Sequence, residues 1–267
     1  MGTFRDLLRL ATVDPRALLR AVKRAPLVRR GLLFSPPAIG AQTSAPQNGN
    51  PLRRYFENHN DGNGIWKFDH YFDVYHRHLA KFVGTDATLL EIGVFSGGSL
   101  DMWRDYLGPR ARIWGIDIEP GCRAYHGGQI EIFIGSQGDR KFLASINPVD
   151  GIDAVVDDGS HLPEHQIVSF EELFGRLKPG GVYICEDVGG SHNMFLDYVH
   201  GLTKNLSAIL PTESDLEAPA NPLQGVVESI HVYPFAVVVE KRASRWSMIT
   251  SQKKGSAWQP FSAKAKT

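Results

Sequence analysis

From Thr88 to Asp187 the chain alternates short, almost wholly apolar runs with longer segments whose apolar positions recur at helical spacing. TLLEIGV, RIWGIDI, IEIFIG, IDAVVDD and VYICED are the apolar runs; SLDMWRDYL, KFLASI and PEHQIVSFEELFGRL are the helical ones, the last closed by KPGG. Strands that lack polar alternation are covered on both faces, so the pattern predicts a parallel sheet between two helical layers. The fold class expected is a doubly wound α/β sandwich.

Ahead of this body the pattern changes twice. Phe4, Leu7, Leu8 and Leu10, then Ala17, Leu18, Ala21 and Val22, suit two short helices, with Asp14 and Pro15 opening the second. Residues 35–51, SPPAIGAQTSAPQNGNP, read as a linker. From Tyr55 to Phe82 an aromatic and histidine-rich stretch predicts a loop followed by a helix over the domain entrance; Trp66, His70 and Tyr71 are candidates to close over a ligand. The expected organisation is a basic helical arm and linker over 1–50, one catalytic-size domain over 51–241, and a polar basic tail over 242–267, mobile or exchanged with a neighbour.

Length and charge narrow the classes. With 267 residues, one sizeable core with extensions is expected. The net charge is zero, but residues 1–34 carry +6 and residues 241–267 carry +7, which leaves −13 on the body. A nucleic-acid binder would place its basic patch on the folded domain, so this balance argues against nucleic acid and for a body that holds a cation. Cys122 and Cys185 stand in no ligand spacing and read as core thiols. No apolar run approaches the ~20 residues that cross a bilayer, and the start lacks a secretory signal's apolar centre. A cytoplasmic protein without membrane insertion is expected.

The chemistry concentrates at the strand ends, where ligands bind in such sheets. Glu91 and Gly93, Asp117, Asp157 with Asp158, and Glu186 with Asp187 all fall there. Adjacent carboxylates at the ends of apolar strands are costly to bury unless something compensates them. LLEIGVFSGGSL spaces its glycines as E-x-G-x-x-x-G-G-S, which is not the pyrophosphate-binding G-x-G-x-x-G. Together with Asp117 at the end of the second strand, this turn can hold a ribose through its hydroxyls, and the loop Gly135 to Asp139 lies where an adenine would. His161 stands four residues before His165.

LEIGVFSGGSLDMW, GIDIE, GSQGD and DDGSHLPEHQIVSFEELFGRLKPGGVYICED together resemble the metal-dependent, S-adenosylmethionine-dependent sugar O-methyltransferases of natural-product pathways, the mycinamicin and macrocin deoxysugar enzymes among them. The resemblance runs from about Tyr55 to Lys241, and SIHVYPFAVVVEK is similar to that family's last two strands. It implies a Rossmann-like class I methyltransferase sheet, S-adenosyl-L-methionine and Mg²⁺ as cofactors, and a small-molecule glycoside of antibiotic biosynthesis as substrate. Asp158, Glu186 and Asp187 would hold the metal, against the rival role of Asp158 as a helix cap, and His161 would be the base. Glu91, Gly93, Ser99, Asp117, Ser136, Gln137, Asp139 and Asp157 would serve the cofactor. His165 reads as a packed, hydrogen-bonded residue; His192 reads equally as a substrate contact or a solvated loop residue. Relatives that assemble, with the amphipathic arm, imply a homo-oligomer.

The chain departs from the family in two places: a large N-terminal domain is reduced to the arm, and NHNDGNGIWKFDHYF stands where a GTDKG-like run is expected. Both touch the substrate lid. Rival readings are a relative of cephalosporin hydroxylase, for which the sequence offers no redox system, and a non-catalytic binding module, which would not need His161. A nicotinamide dehydrogenase fits poorly, since the glycine spacing is wrong.

Overall fold

The computed structural model describes residues 25–36, 49–146, 151–190, 193–210, 217–252 and 254–255. The helices expected between 4 and 22, most of the linker, and His192 lie outside the described residues. The chain divides into two compact units, Met1–Gln47 and Asn48–Thr267. In the first, residues 25–32 form a helix that exposes Leu27, Val28 and Leu32.

The second unit opens with α1 (Pro51–Asn58), where the linker was expected to end. Asn50 accepts hydrogen bonds from the Leu52 and Arg53 amides, and Pro51 takes the first helical turn, where a missing N–H costs nothing. Next come α2 (Tyr71–Leu79), β1 (Thr88–Ile92), α3 (Gly98–Leu107), β2 (Arg112–Asp117), β3 (Ile130–Ile134) and α4 (Arg140–Ser145). They are followed by β4 (Ile152–Asp157), α5 (Pro163–Leu173), β5 (Leu177–Cys185), α6 (Met194–Leu206), β6 (Glu217–Pro219), β7 (Val227–Tyr233), β8 (Ala236–Lys241) and β9 (Met248–Thr250).

Seven strands form one sheet in the order β3-β2-β1-β4-β5-β8-β7. Strands β1 to β5 run parallel, and β8 and β7 complete the edge as antiparallel neighbours. The expected doubly wound α/β sandwich is therefore present, with an antiparallel hairpin added. Alternate strand residues feed two cores: Leu89, Ile113, Ala154, Ile184 and Val238 pack with Phe72, Tyr75 and Trp103 on one face. Leu90, Ile116, Val155, Tyr183 and Val239 pack with Leu143, Phe170 and Phe195 on the other.

KPGG does not stop the chain before β5. Pairing steps from Ile152↔Leu177 to Ala154↔Val182, so the turn bulges out inside a strand that continues. The tail is not wholly free either, since β9 pairs with β6 as a small antiparallel ladder of the same chain. Cys122 and Cys185 are buried and unbridged, as core thiols. Among the described residues no helix is long and apolar enough to cross a membrane.

Candidate active site

β1, β2, β3, β4 and β5 deliver the ends of their chains to one cavity of about 640 Å³. Gly93, Ser99, Asp117, Ser136, Gln137, Asp158, His161, Glu186 and Asp187 line it, as do His165, Trp66 and Tyr71. The structure thus brings most of the expected site residues together. Three stand outside the wall. Asp139 caps α4, accepting from the Lys141 and Phe142 amides. Asp157 is wholly buried, accepting from Gln137 Nε2 at 2.9 Å, from Tyr183 at 2.8 Å and from Ser169. Glu91 is buried beside the wall, with Oε2 accepting from Ser99 Oγ at 2.7 Å and Oε1 without a hydrogen bond among the described residues.

The glycines of the β1–α3 turn, of which Gly93 lines the cavity, also relieve crowding within the chain. A Cβ on Gly93, whose φ is +89°, would meet the Asp158 carbonyl oxygen at 2.1 Å; one on Gly98 would meet the Asn63 carbonyl at 2.2 Å. They let the chain's own segments pass each other. Asp117 fixes the same turn: Oδ2 accepts from the Val94 and Phe95 amides at 2.8 and 3.0 Å, and Oδ1 from the Glu119 amide at 2.8 Å. Of the roughly four lone-pair positions on a carboxylate, about one remains for a ligand. Phe95 and Ile118, both exposed, flank that position with apolar surface.

The acid cluster holds a residue that was not expected. Lys67 has a side chain only 3% exposed, and its Nζ bonds Asp158 Oδ2, lies 3.0 Å from Glu186 Oε2 and 3.8 Å from Glu91 Oε1. Burial alone would lower this ammonium's pKa, but Glu186, Asp158 and Glu91 outweigh it and hold the lysine protonated. Glu186 Oε1 accepts from Tyr75 at 2.6 Å, so both of its oxygens are engaged. Burial nonetheless raises its carboxyl, to about 8, against the pull of Lys67. Asp187 accepts from Tyr71 at 2.8 Å on Oδ1, while Oδ2 faces His161 Nε2 at 3.7 Å. Tyr71 and Tyr75, four residues apart on α2, therefore serve the Glu186–Asp187 pair from one helical face.

Asp158, His161 and Asp187 offer ligand atoms that all lie within 4.8 Å of one another. Glu186 lines the same cavity as the two aspartates; its Oε2 shares Lys67 Nζ with Asp158 Oδ2, and its Oε1 accepts from Tyr75. Four carboxylates with one ammonium fit a further divalent cation, and the donors left open to it are hard oxygens and an imidazole. Among the described residues four non-glycine positions have positive φ, and three of them, Phe95, His161 and Asp187, line the cavity. Backbone strain of this kind collects at functional sites. His165 is hydrogen-bonded, as expected, with Nδ1 3.0 Å from Ser160 Oγ. Gln137 ties the walls together, accepting from the Ser160 amide at 2.6 Å.

Lys67 left one sequence signal, a lone cation within the aromatic run IWKFDHYF of an acidic body. Tyr75 left another, its spacing of four from Tyr71.

Comparison with known proteins bears on this geometry. The chain is 32% identical over 204 residues to the 8-demethyl-8-alpha-L-rhamnosyl tetracenomycin-C 2'-O-methyltransferase of Streptomyces olivaceus, covering 68% of this chain and 53% of that one. It is 32% identical over 199 residues to the demethylmacrocin O-methyltransferase of Streptomyces fradiae, covering 66% and 50%. The folded body is homologous to deoxysugar O-methyltransferases. This homology extends to structure: the MycE methyltransferase of the mycinamycin pathway, solved in complex with Mg and SAH, superposes with a TM-score of 0.59 at 29% identity, covering 72% of this chain and 54% of that one. The chain spans about half the length of the curated relatives it matches. No family model matches.

Proposed function

We propose that this chain transfers a methyl group from S-adenosylmethionine to a hydroxyl of a sugar carried by a small-molecule natural product, with a divalent cation, Mg²⁺, at the acid cluster. The observation that carries the reading is the convergence of Asp158, Asp187 and His161 in a cavity that Asp117, Ser136 and Gln137 also line. Asp158 and Asp187 would hold the cation, with Glu186 behind them, and the homologous MycE carries both Mg and SAH. When bound, the cation polarises neighbouring hydroxyls of the acceptor and the sulfonium of the cofactor supplies the methyl group.

The chain's own residues do the rest. His161, on the rim and facing Asp187, takes the acceptor's proton as its oxygen attacks. Lys67 offsets the buried charge of Glu91 and Glu186. Asp117 and Gln137 hold the loops in register, which keeps the two reactants aligned. Stacked Phe68 and Phe235, with Trp66 exposed beside them, form the apolar margin that an aglycone would cover. The two buried free thiols suit the reducing cytoplasm, and the apolar surface exposed on residues 25–32 supports a homo-oligomer.

A second role for His161, as a metal ligand, rests on its offering an atom within 4.8 Å of those of both aspartates. The two roles separate experimentally. As base, His161→Ala keeps Mg²⁺ affinity and loses turnover; as ligand, it loses both. The function itself is tested by incubating the full chain with S-adenosylmethionine and glycosides bearing vicinal hydroxyls, following methylated product by mass spectrometry. Product that disappears with EDTA is the expected result. Cofactor binding without methylation of any sugar hydroxyl would contradict the acceptor class.

A further inference from the structure

A second cluster of ligating side chains lies on the same face of the sheet as α2, and none of its members lines the cavity. Pairing of Ser229 with Glu240 and of Tyr233 with Ala236 places Ser229, His231 and Tyr233 on the face of β7 that carries Glu240 of β8. The last turn of α2 brings His78 against them, buried. His78 Nδ1 lies 3.0 Å from Glu240 Oε1, His231 Nε2 lies 3.6 Å from Glu240 Oε2, and all three ligand atoms lie within 4.8 Å of one another.

We propose that His78, His231 and Glu240 bind a divalent transition-metal ion of the zinc class, clipping the end of α2 to the β7–β8 hairpin. Two imidazoles and one carboxylate are a recurrent donor set for that ion. Tetrahedral bonds of about 2.0–2.1 Å place ligand atoms about 3.4 Å apart. The two histidines face different oxygens of Glu240 at 3.0 and 3.6 Å, and one atom from each residue lies within 4.8 Å of the others, a spread that small side-chain rotations close. The other nitrogen of His78 is held by Tyr233 OH at 2.9 Å, the support by which metal-binding imidazoles are commonly oriented. His231 and Glu240 are half-buried, which leaves one side open for a water as fourth ligand.

A metal on His78 Nδ1 needs the ring's one proton on Nε2, where Tyr233 OH accepts it, and replaces the contacts of Nδ1 with Glu240 and of Ser229 Oγ with His231 Nε2. Lys81, 3.9 Å from Glu240 Oε1, carries a half-exposed side chain that can turn to solvent. The clip matters to the rest of the molecule because α2 also carries Tyr71 and Tyr75, whose hydroxyls hold Asp187 and Glu186.

The test uses the untagged full chain, stripped with chelator and titrated with Zn²⁺, beside His231→Ala, Glu240→Gln and the cavity variant Asp158→Ala. Elemental analysis gives stoichiometry and a Co²⁺ absorption spectrum reports tetrahedral ligation. One equivalent should remain in Asp158→Ala and weaken at least tenfold in both His231→Ala and Glu240→Gln. At about one hundred times its Kd the ion should raise the wild-type Tm by about 5–10 °C. Glu240→Gln preserves the hydrogen bond to His78, so a weakened site there is not a folding defect. Equal affinity, spectrum and Tm shift in wild type and His231→Ala would overturn the proposal, as would loss of all zinc in Asp158→Ala.

Discussion

Asp157 and Asp158 are neighbours in sequence, and they stand at two acid clusters with opposite construction. Asp157 is buried and accepts from three uncharged donors, Gln137, Ser169 and Tyr183. Asp158 opens to the cavity and shares a single ammonium, Lys67, with Glu186 and Glu91. The first cluster is complete within the chain. The second has more negative charge than its one cation offsets, and its surplus faces the cavity. A buried acid whose lone pairs are all met by the fold holds the structure together, whereas an acid left short beside a cavity marks where an ion or substrate binds.

The strongest way to break this comparison is to remove each aspartate. Asp158→Ala should lower methyl transfer about 10³-fold, the loss of several kcal/mol of metal-assisted stabilisation, with the fold intact by circular dichroism. Asp157→Ala should instead destabilise the protein by about 3 kcal/mol in urea, since three buried donors lose their acceptor. Equal stability losses in the two variants would erase the distinction.

Lys67→Met sharpens it. In metal-free protein the loss of the ammonium should cost about 3 kcal/mol, because Glu186 and Glu91 are left buried without a counter-charge. Added Mg²⁺ should restore part of that loss in Lys67→Met and none of it in Asp157→Ala.

A smaller effect follows from Glu186, whose carboxyl rises from its ordinary 4.5 to about 8. The folded state therefore binds more protons than the unfolded one between those values. Its contribution is fully present below about 4.5 and is lost as pH rises through about 8. The Tm of metal-free protein should fall from pH 5 to pH 8.5, and Glu186→Gln should flatten that fall. Least of all, Tyr183→Phe should cost about 1 kcal/mol, one of the three bonds to Asp157.

Which parts of this were legible depends on how local the determining physics is. Strands β1 to β5 were readable because apolar runs bounded by turns need no tertiary partner to be recognised, and the rim acids because charge at the end of such a run is conspicuous. The hydrogen bonds that separate Asp157 from Asp158 were not, since Gln137 and Ser169 come from 20 and 12 residues away. Lys67 reaches Asp158 across 91 residues and lies in a loop with no periodicity to announce it. α1 had its cap in the sequence, Asn50 before Pro51, inside a stretch whose composition suggested only a linker. β9 finds β6 some 30 residues upstream, a pairing no local pattern encodes. The left-handed backbone of His161 is likewise set by its surroundings and not by its residue type.

Calorimetric titration of S-adenosylhomocysteine into the full chain, with Mg²⁺ and then with EDTA, beside Asp158→Ala, tests the central claim most directly. The account predicts saturable one-to-one binding, together with Mg²⁺ binding that the wild type shows and Asp158→Ala lacks. Absence of S-adenosylhomocysteine binding under either condition would contradict it.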